Sequence, residues 1–216
     1  MPDDDDKEVG GAPPCLLNEL GPRGSVVDPQ QAVDVARWRK AERERLLAAR
    51  QGLRPEYRAA QTRAIATDLD RIIPTDATVI VSVYWPIRNE PDLREWMRVR
   101  AEQGTRIALP VAEALGQPLT FREWRPGAPL ARGLWKIPYP AEAAEVTPTV
   151  VLAPVVGFDP QRYRLGYGGG FFDRTLAVLR PRPLVLGLGY PCAAIKTIYP
   201  QSHDIPMDVI VTGDTI

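Results

Sequence analysis

The stretch Arg164-Leu165-Gly166-Tyr167-Gly168-Gly169-Gly170-Phe171-Phe172-Asp173 constrains the fold of this chain more than any other. It follows Val150-Val151-Leu152-Ala153-Pro154-Val155-Val156-Gly157-Phe158, whose β-branched density reads as a strand buried on both faces of a sheet. It opens into a segment, Phe172 with Leu176, Val178 and Leu179, that has helical spacing and is stopped by Pro181. The expected order is therefore strand, glycine loop, helix. Four of the five residues from 166 to 170 are glycine, which lets the backbone turn sharply and bring N–H groups close to a ligand. Successive N–H groups and the positive end of the following helix favour an anion, and phosphate is the natural one. Arg164 adds a forked guanidinium for phosphate oxygens. Asp173 is a poor phosphate ligand, but beside a phosphate chain it suits Mg²⁺, which takes one or two carboxylates together with phosphate oxygens and water. The bland alternative is a tight connection in which Asp173 merely favours the helix start. The pattern is neither a Walker loop nor the dinucleotide G-x-G-x-x-G, because Phe171 stands where the third glycine belongs.

Upstream, Asp28-Pro29 reads as an N-cap and first helical residue, with the helix running to Gly52. Arg37, Arg39, Lys40, Arg43, Arg45 and Arg50 crowd this helix, and Arg39 and Arg43 share a face. Either it is a solvated face partnered by Glu42 and Glu44, or Arg39 and Arg43 are aimed at a triphosphate. Arg54-Pro55 starts a second helix with Ile65, Leu69, Ile72 and Ile73 inward, ending before Pro74. Thr78 to Trp85 reads as a strand broken at Pro86, so Ile87-Arg88-Asn89-Glu90 is a loop at a strand's carboxyl end, where open α/β sheets bind ligands. A helix over 92–104, with Leu93, Trp96, Met97 and Val99 inward, and a strand over 105–111 complete a βαβ unit with parallel strands. Leu119 to Trp124 alternates like an edge strand, and the proline-rich 125–148 segment carrying Trp135 reads as a long irregular loop. Strands over 184–190 and 208–212 follow. The class is α/β, a mostly parallel open sheet flanked by helices in a Rossmann-like three-layer sandwich.

With 44% hydrophobic residues over 216 positions, residues 30–216 are expected to form one domain, and residues 1–29 a disordered tail. A net charge of zero argues against a nucleic-acid-binding surface. No apolar run approaches a membrane span and the amino terminus is acidic, so a cytoplasmic monomer without membrane or nucleic-acid partners is expected. Cys15 and Cys192 share no metal or redox spacing, and a single histidine, His203, makes a histidine-based triad a poor fit.

Arg-Leu-Gly-x-Gly-x-Gly-aromatic-aromatic-Asp after a strand ending Gly157-Phe158-Asp159 resembles the signature of the 5-formyltetrahydrofolate cyclo-ligase (5,10-methenyltetrahydrofolate synthetase) family. The similarity runs from about residue 37 to the carboxyl terminus. The resemblance implies that Arg39 and Arg43 face ATP phosphates, as do Arg164 and the loop formed by Leu165, Gly166, Tyr167, Gly168, Gly169, Gly170, Phe171 and Phe172. It implies that Trp85, Glu90, Trp135, Tyr167 and Phe171 line the folate site, with Glu90 and Arg164 as catalytic groups. Asp173 and Asp204 match the family's metal-binding acids, for Mg²⁺. Two positions depart from the family pattern. The usual first-helix lysine is Arg39, and the usual Tyr-Tyr-Asp is Phe171-Phe172-Asp173, which leaves stacking without a hydroxyl contact. The implied protein is a folate enzyme of one-carbon metabolism, an ATP- and magnesium-binding ligase that closes 5-formyltetrahydrofolate to 5,10-methenyltetrahydrofolate through a phosphorylated formyl group. The alternatives are a paralogue activating another formamide-type substrate and a non-catalytic folate- or nucleotide-binding regulator.

Overall fold

The structure, a computed structural model, describes residues 29–214. The expected tail and the Asp28 cap lie outside the described residues, apart from Pro29, where the first helix begins.

Side-chain alternation along the strands decides the layers. Val81, Val83, Ile107, Leu109, Val150, Leu152, Leu186 and Leu188 point to one face of the sheet, and Ala108, Val151, Ala153 and Val185 to the other. On the first face pack α2 (Pro55–Ile72) and α3 (Arg94–Glu102), through Ile65, Leu69, Trp96 and Met97. On the second lie Leu176 of α4 (Phe171–Val178), Phe121 and Met207. Both faces are covered, which is why the strands carry near-continuous apolar runs. Proline starts α2 at a position that needs no N–H donor, and Arg54 just before it is extended.

The sheet has six strands in the order β10 (Val209–Val211), β9 (Leu184–Leu188), β6 (Val150–Pro154), β1 (Ile80–Ser82), β2 (Arg106–Val111), β3 (Thr120–Trp124). All pairs are parallel except β2 with β3, which runs antiparallel at the edge. The expected βαβ unit is β1, α3 and β2, with Val81 beside Ile107. From β1 the chain builds outward through β2 and β3, then returns to β6 on the other side of β1 and builds outward through β9 and β10. The order reverses between β1 and β6, so the loops leaving these two strands diverge and open a crevice at their carboxyl ends.

The 150–158 run is two strands, not one. After Pro154 the chain leaves the sheet: Val156 N–H donates to Leu165 O, and β7 (Gly157–Phe158) pairs antiparallel with β8 (Arg164–Leu165). The turn joining them is held by Asp159, buried, which accepts N–H groups of Gln161, Tyr163 and Ile198. The strand immediately before the glycine loop is thus this small ribbon, which lifts the loop over the sheet's end. The first strand is also shorter than its sequence suggests, since only residues 80–82 lie in the ladder before Pro86 turns the chain. Within the irregular 125–148 segment stands a second ribbon, β4 (Ala131–Arg132) with β5 (Pro138–Tyr139). α1 (Pro29–Gln51) caps the crevice end, with Leu46 packed against Val156, Leu165 and Ile198. Among the described residues no helix is long and apolar enough to cross a membrane.

Candidate active site

At the strand-order reversal lies a cleft of about 580 Å³. Its walls contain every site residue expected from sequence: Arg39 and Arg43 from α1, Trp85 and Glu90 after β1, Trp135 from the ribbon tip, Arg164 to Asp173 around the glycine loop, and Asp204 from the segment before β10.

The glycine loop's shape follows from its neighbours. Gly168 has φ +96° and Gly170, at the N-cap of α4, has φ +64°, both in the region that side chains disfavour. At Gly166 a Cβ would fall 2.5 Å from Arg164 Nη1, so the missing side chain lets the buried Arg164 lie beneath the loop. Arg164 donates to Asp173 Oδ2 at 3.2 Å, and its guanidinium lies 4.9 Å from the Phe172 ring centroid. Arg43 Nε donates to Gly166 O at 2.8 Å, tying helix to loop. Among the described residues, none of the N–H groups of 166–170 donates to a protein acceptor. An unpaired row of N–H groups, beside three arginines and at a helix N-terminus, is an anion-binding surface.

Arg39 holds the opposite rim. Its Nη2 meets Asp204 Oδ2 at 2.5 Å, and it also donates to Ile198 O and Tyr199 O. Burial alone would raise the Asp204 carboxyl; the Arg39 guanidinium and the Gln201 N–H outweigh it and bring the group below the ordinary aspartate value. Burial and the adjacent Arg39 charge lower the Arg43 guanidinium. Asp173 Oδ1 accepts the N–H of Ile205, the residue after Asp204, at 3.3 Å, so the two acids are neighbours. No cluster of three or more His, Cys, Asp or Glu side chains occurs among the described residues. Asp173 and Asp204 both line the cleft, where two carboxylates could join nucleotide phosphates around Mg²⁺ without forming a self-contained metal cage. His203 is exposed at the rim.

The other wall rests on strained turns. Arg88 and Asn89 both have positive φ, as in a type I′ turn, with Glu90 N–H donating to Ile87 O. Glu90 returns the bond, accepting Ile87 N–H on Oε2 at 2.8 Å, and takes the Tyr167 hydroxyl on Oε1 at 2.6 Å. It is buried, which pushes its carboxyl above the ordinary glutamate value; the Tyr167 and Ile87 donors and the Arg50 and Arg88 charges all act the other way. Trp135 and Lys136 likewise have positive φ at the tip of the β4–β5 ribbon. Trp135 is 61% exposed and meets Phe171 edge-on at 5.4 Å, so it is not a core anchor. Trp135 is thus a large ring displayed on strained backbone over the cleft.

Sequence reasoning did not single out Tyr84, Val111 or Tyr139 as lining residues, whereas Ile87 and Arg88 line the cleft from the loop expected at the ligand-binding edge. Nor did it single out Arg50, which is buried beneath the cleft, not solvated. The signal was available: Arg39, Arg43, Leu46 and Arg50 recur at helical spacing as one stripe.

The sheet order defines an α/β protein of the open, mostly parallel class, with its cleft at the switch point. Residues 35–213 match the model of the 5-formyltetrahydrofolate cyclo-ligase family, and the chain belongs to that family of enzymes. It is 28% identical over 174 residues to the 5-formyltetrahydrofolate cyclo-ligase of Escherichia coli (strain K12), spanning 77% of this chain and 96% of that protein. Against the enzyme of the same name from Mycolicibacterium smegmatis it is 33% identical over 140 residues, 61% of this chain and 72% of that one. The fold superimposes on the NMR structure of Aquifex aeolicus 5,10-methenyltetrahydrofolate synthetase with a TM-score of 0.70 and 26% identity, covering 82% of this chain and 90% of that chain.

Proposed function

We propose that this protein uses ATP to close 5-formyltetrahydrofolate to 5,10-methenyltetrahydrofolate, releasing ADP and phosphate. The observation that carries the reading is the unpaired row of N–H groups at 166–170 in one cleft with a buried carboxylate, Glu90, and an exposed indole, Trp135. One wall suits a polyphosphate and the other a flat, nitrogen-rich ring.

The formyl carbon of the substrate is an amide carbon, weakly electrophilic, and its oxygen is a poor leaving group. Transfer of the γ-phosphoryl of ATP to that oxygen, with the N5 lone pair moving onto the carbon, gives an iminium phosphate. N10 then attacks the carbon, the C–O bond breaks, phosphate departs with the oxygen, and N10 gives up its proton. Arg39, Arg43, Arg164 and the loop from Leu165 through Phe172 hold the phosphates, where preorganised cations and N–H groups stabilise the moving charge. Arg164, lying beneath the loop, is the cation assigned to the transferring group. Trp85, Trp135, Tyr167 and Phe171 align the pterin ring system, which turns two bound molecules into one reacting pair. Glu90 accepts pterin N–H groups near the formyl carbon. Asp173 and Asp204 would hold Mg²⁺, which when bound neutralises phosphate charge. The family's Tyr-Tyr pair is Phe171-Phe172 here, so grip on the ring by stacking replaces a hydroxyl contact. The protein acts on these two small molecules as a cytoplasmic monomer.

The mechanism fixes where one oxygen atom goes. With ¹⁸O in the formyl group, the label is expected in the released inorganic phosphate; label remaining in a formate or folate product would refute oxygen phosphorylation.

A further inference from the structure

We propose that Arg50 and Tyr167 are positioning residues that hold the Glu90 carboxylate ionised and in one orientation as the acceptor for the reduced pterin. The inference rests on the folate reading above and adds to it the groups that make Glu90 usable.

Arg50 sits near the end of α1, two helical turns beyond Arg43 on the same stripe, and is buried. Its Nη2 donates to Val155 O, at the point where the chain leaves β6. Its Nη1 donates to the Tyr167 hydroxyl at 3.1 Å and stands 4.0 Å from Glu90 Oε1. The Tyr167 hydroxyl spends its own proton on Glu90 Oε1. A chain of donors therefore runs from Arg50 through Tyr167 to Glu90, with no acceptor left between them. The phenol cannot turn away from Glu90, because Arg50 has only protons to offer it. Ile87 N–H fixes the other carboxylate oxygen. Arg88 lies 5.5 Å over the Tyr167 ring, pressing it into place from the turn that bears Glu90.

The arrangement joins the two walls of the cleft. Tyr167 belongs to the glycine loop and Glu90 to the turn after β1, and their hydrogen bond is a direct polar link between those two loops. An isolated buried carboxylate takes up a proton, and a protonated Glu90 would offer a donor where the pterin's N–H groups need an acceptor. The groups facing Glu90 are Tyr167 from the loop, Arg50 from α1, Arg88 from its own turn, and Tyr84 and Tyr190 from the ends of β1 and β9. Among the described residues only Tyr167 donates to Oε1, with the Arg50 charge 4.0 Å behind it; Tyr84 spends its hydroxyl on Pro91 O.

The test is Tyr167→Phe in full-length protein labelled with ¹³C at glutamate carboxyls, with the Glu90 signal assigned by its loss in Glu90→Gln. Removing a donor to the charged form is expected to raise the Glu90 midpoint by roughly one to two pH units. The acid limb of kcat/KM for 5-formyltetrahydrofolate should move upward with it, and the rate should recover toward wild type at higher pH. Arg50→Gln should move the midpoint the same way; because Arg50 also anchors Val155, Tyr167→Phe carries the test if that variant does not fold. An unmoved midpoint, with the rate reduced equally at every pH, would overturn the proposal and leave Tyr167 a packing residue. A moved midpoint in a protein that converts no 5-formyltetrahydrofolate would sustain the clamp on Glu90 and sink the cyclo-ligase reading instead.

Discussion

The two walls of the cleft are built on opposite plans. On the phosphate wall the cations and acids are paired with each other: Arg39 with Asp204, Arg164 with Asp173, and Arg43 against a loop carbonyl. Its scaffold is the α1 stripe, the antiparallel β7–β8 ribbon and the start of α4, with the positive φ values of the loop carried by glycines. On the other wall the working groups ride on turns whose non-glycine residues have positive φ, Arg88-Asn89 and Trp135-Lys136, and its principal ring is exposed. The first wall stores two of its three cations as preorganised ion pairs and leaves the Arg43 charge uncompensated, a form that a polyphosphate could rearrange. The second stores strain, holding a carboxylate and an indole where relaxed backbone would not put them. A polyphosphate carries charge that must be balanced, whereas a pterin offers faces and edges that must be met by shape.

That contrast can be broken by substitutions that should act on one wall alone. The largest expected effect is from Asp173→Ala, which removes a proposed metal acid and leaves Arg164 unpaired. We expect kcat to fall by about 10²–10³, with folate affinity, read by tryptophan fluorescence, unchanged; unchanged turnover would remove Asp173 from the metal assignment. Arg39→Ala should raise the KM for ATP by about tenfold, less than a free cation would, because Arg39 is already engaged by Asp204. Normal ATP kinetics in that variant would leave Arg39 a structural partner of Asp204 and remove it from the phosphate assignment. Trp135→Ala should raise the KM for folate about fivefold through lost ring contact and leave the KM for ATP alone. A matching change in both constants would mean that the walls are not separable.

The smallest effect is on stability. The Asp204 carboxyl lies below its ordinary value when folded, so its pairing with Arg39 stabilises the protein above the usual aspartate range. That contribution is lost as pH falls through the lowered value. Comparing denaturant midpoints of wild type and Asp204→Asn from neutral pH down to about pH 3 should show a gap of about 1–2 kcal/mol that closes in acid. A gap independent of pH would mean that the carboxylate's charge contributes nothing.

The sequence was most informative where a local pattern dictates backbone. The glycine loop, the parallel βαβ unit, the edge strand and the Arg39/Arg43 spacing were all legible, because each follows from periodicity or from the absence of a Cβ. Partnerships across the chain were not. Nothing local to Arg50 distinguishes it from Arg45, which pairs with Glu42 in solvent, yet one is buried beneath Glu90 and the other exposed. Their difference is angular position on α1, visible only once the stripe through Leu46 is drawn. The departure of the chain from the sheet after Pro154 was hidden because Val155, Val156 and Phe158 continue a strand-like composition. The Arg88-Asn89 turn carries only Asn89 as a hint of positive φ.

The central claim is that both walls serve one reaction. The most direct measurement mixes the purified protein with 5-formyltetrahydrofolate and Mg-ATP and follows the near-ultraviolet absorbance of the methenyl product, with an ATP-free control. Growth of that band only when ATP is present is the predicted result. A flat trace from folded protein that still binds ATP would contradict the account, leaving the phosphate wall correctly read and the ring-facing wall built for a different acceptor.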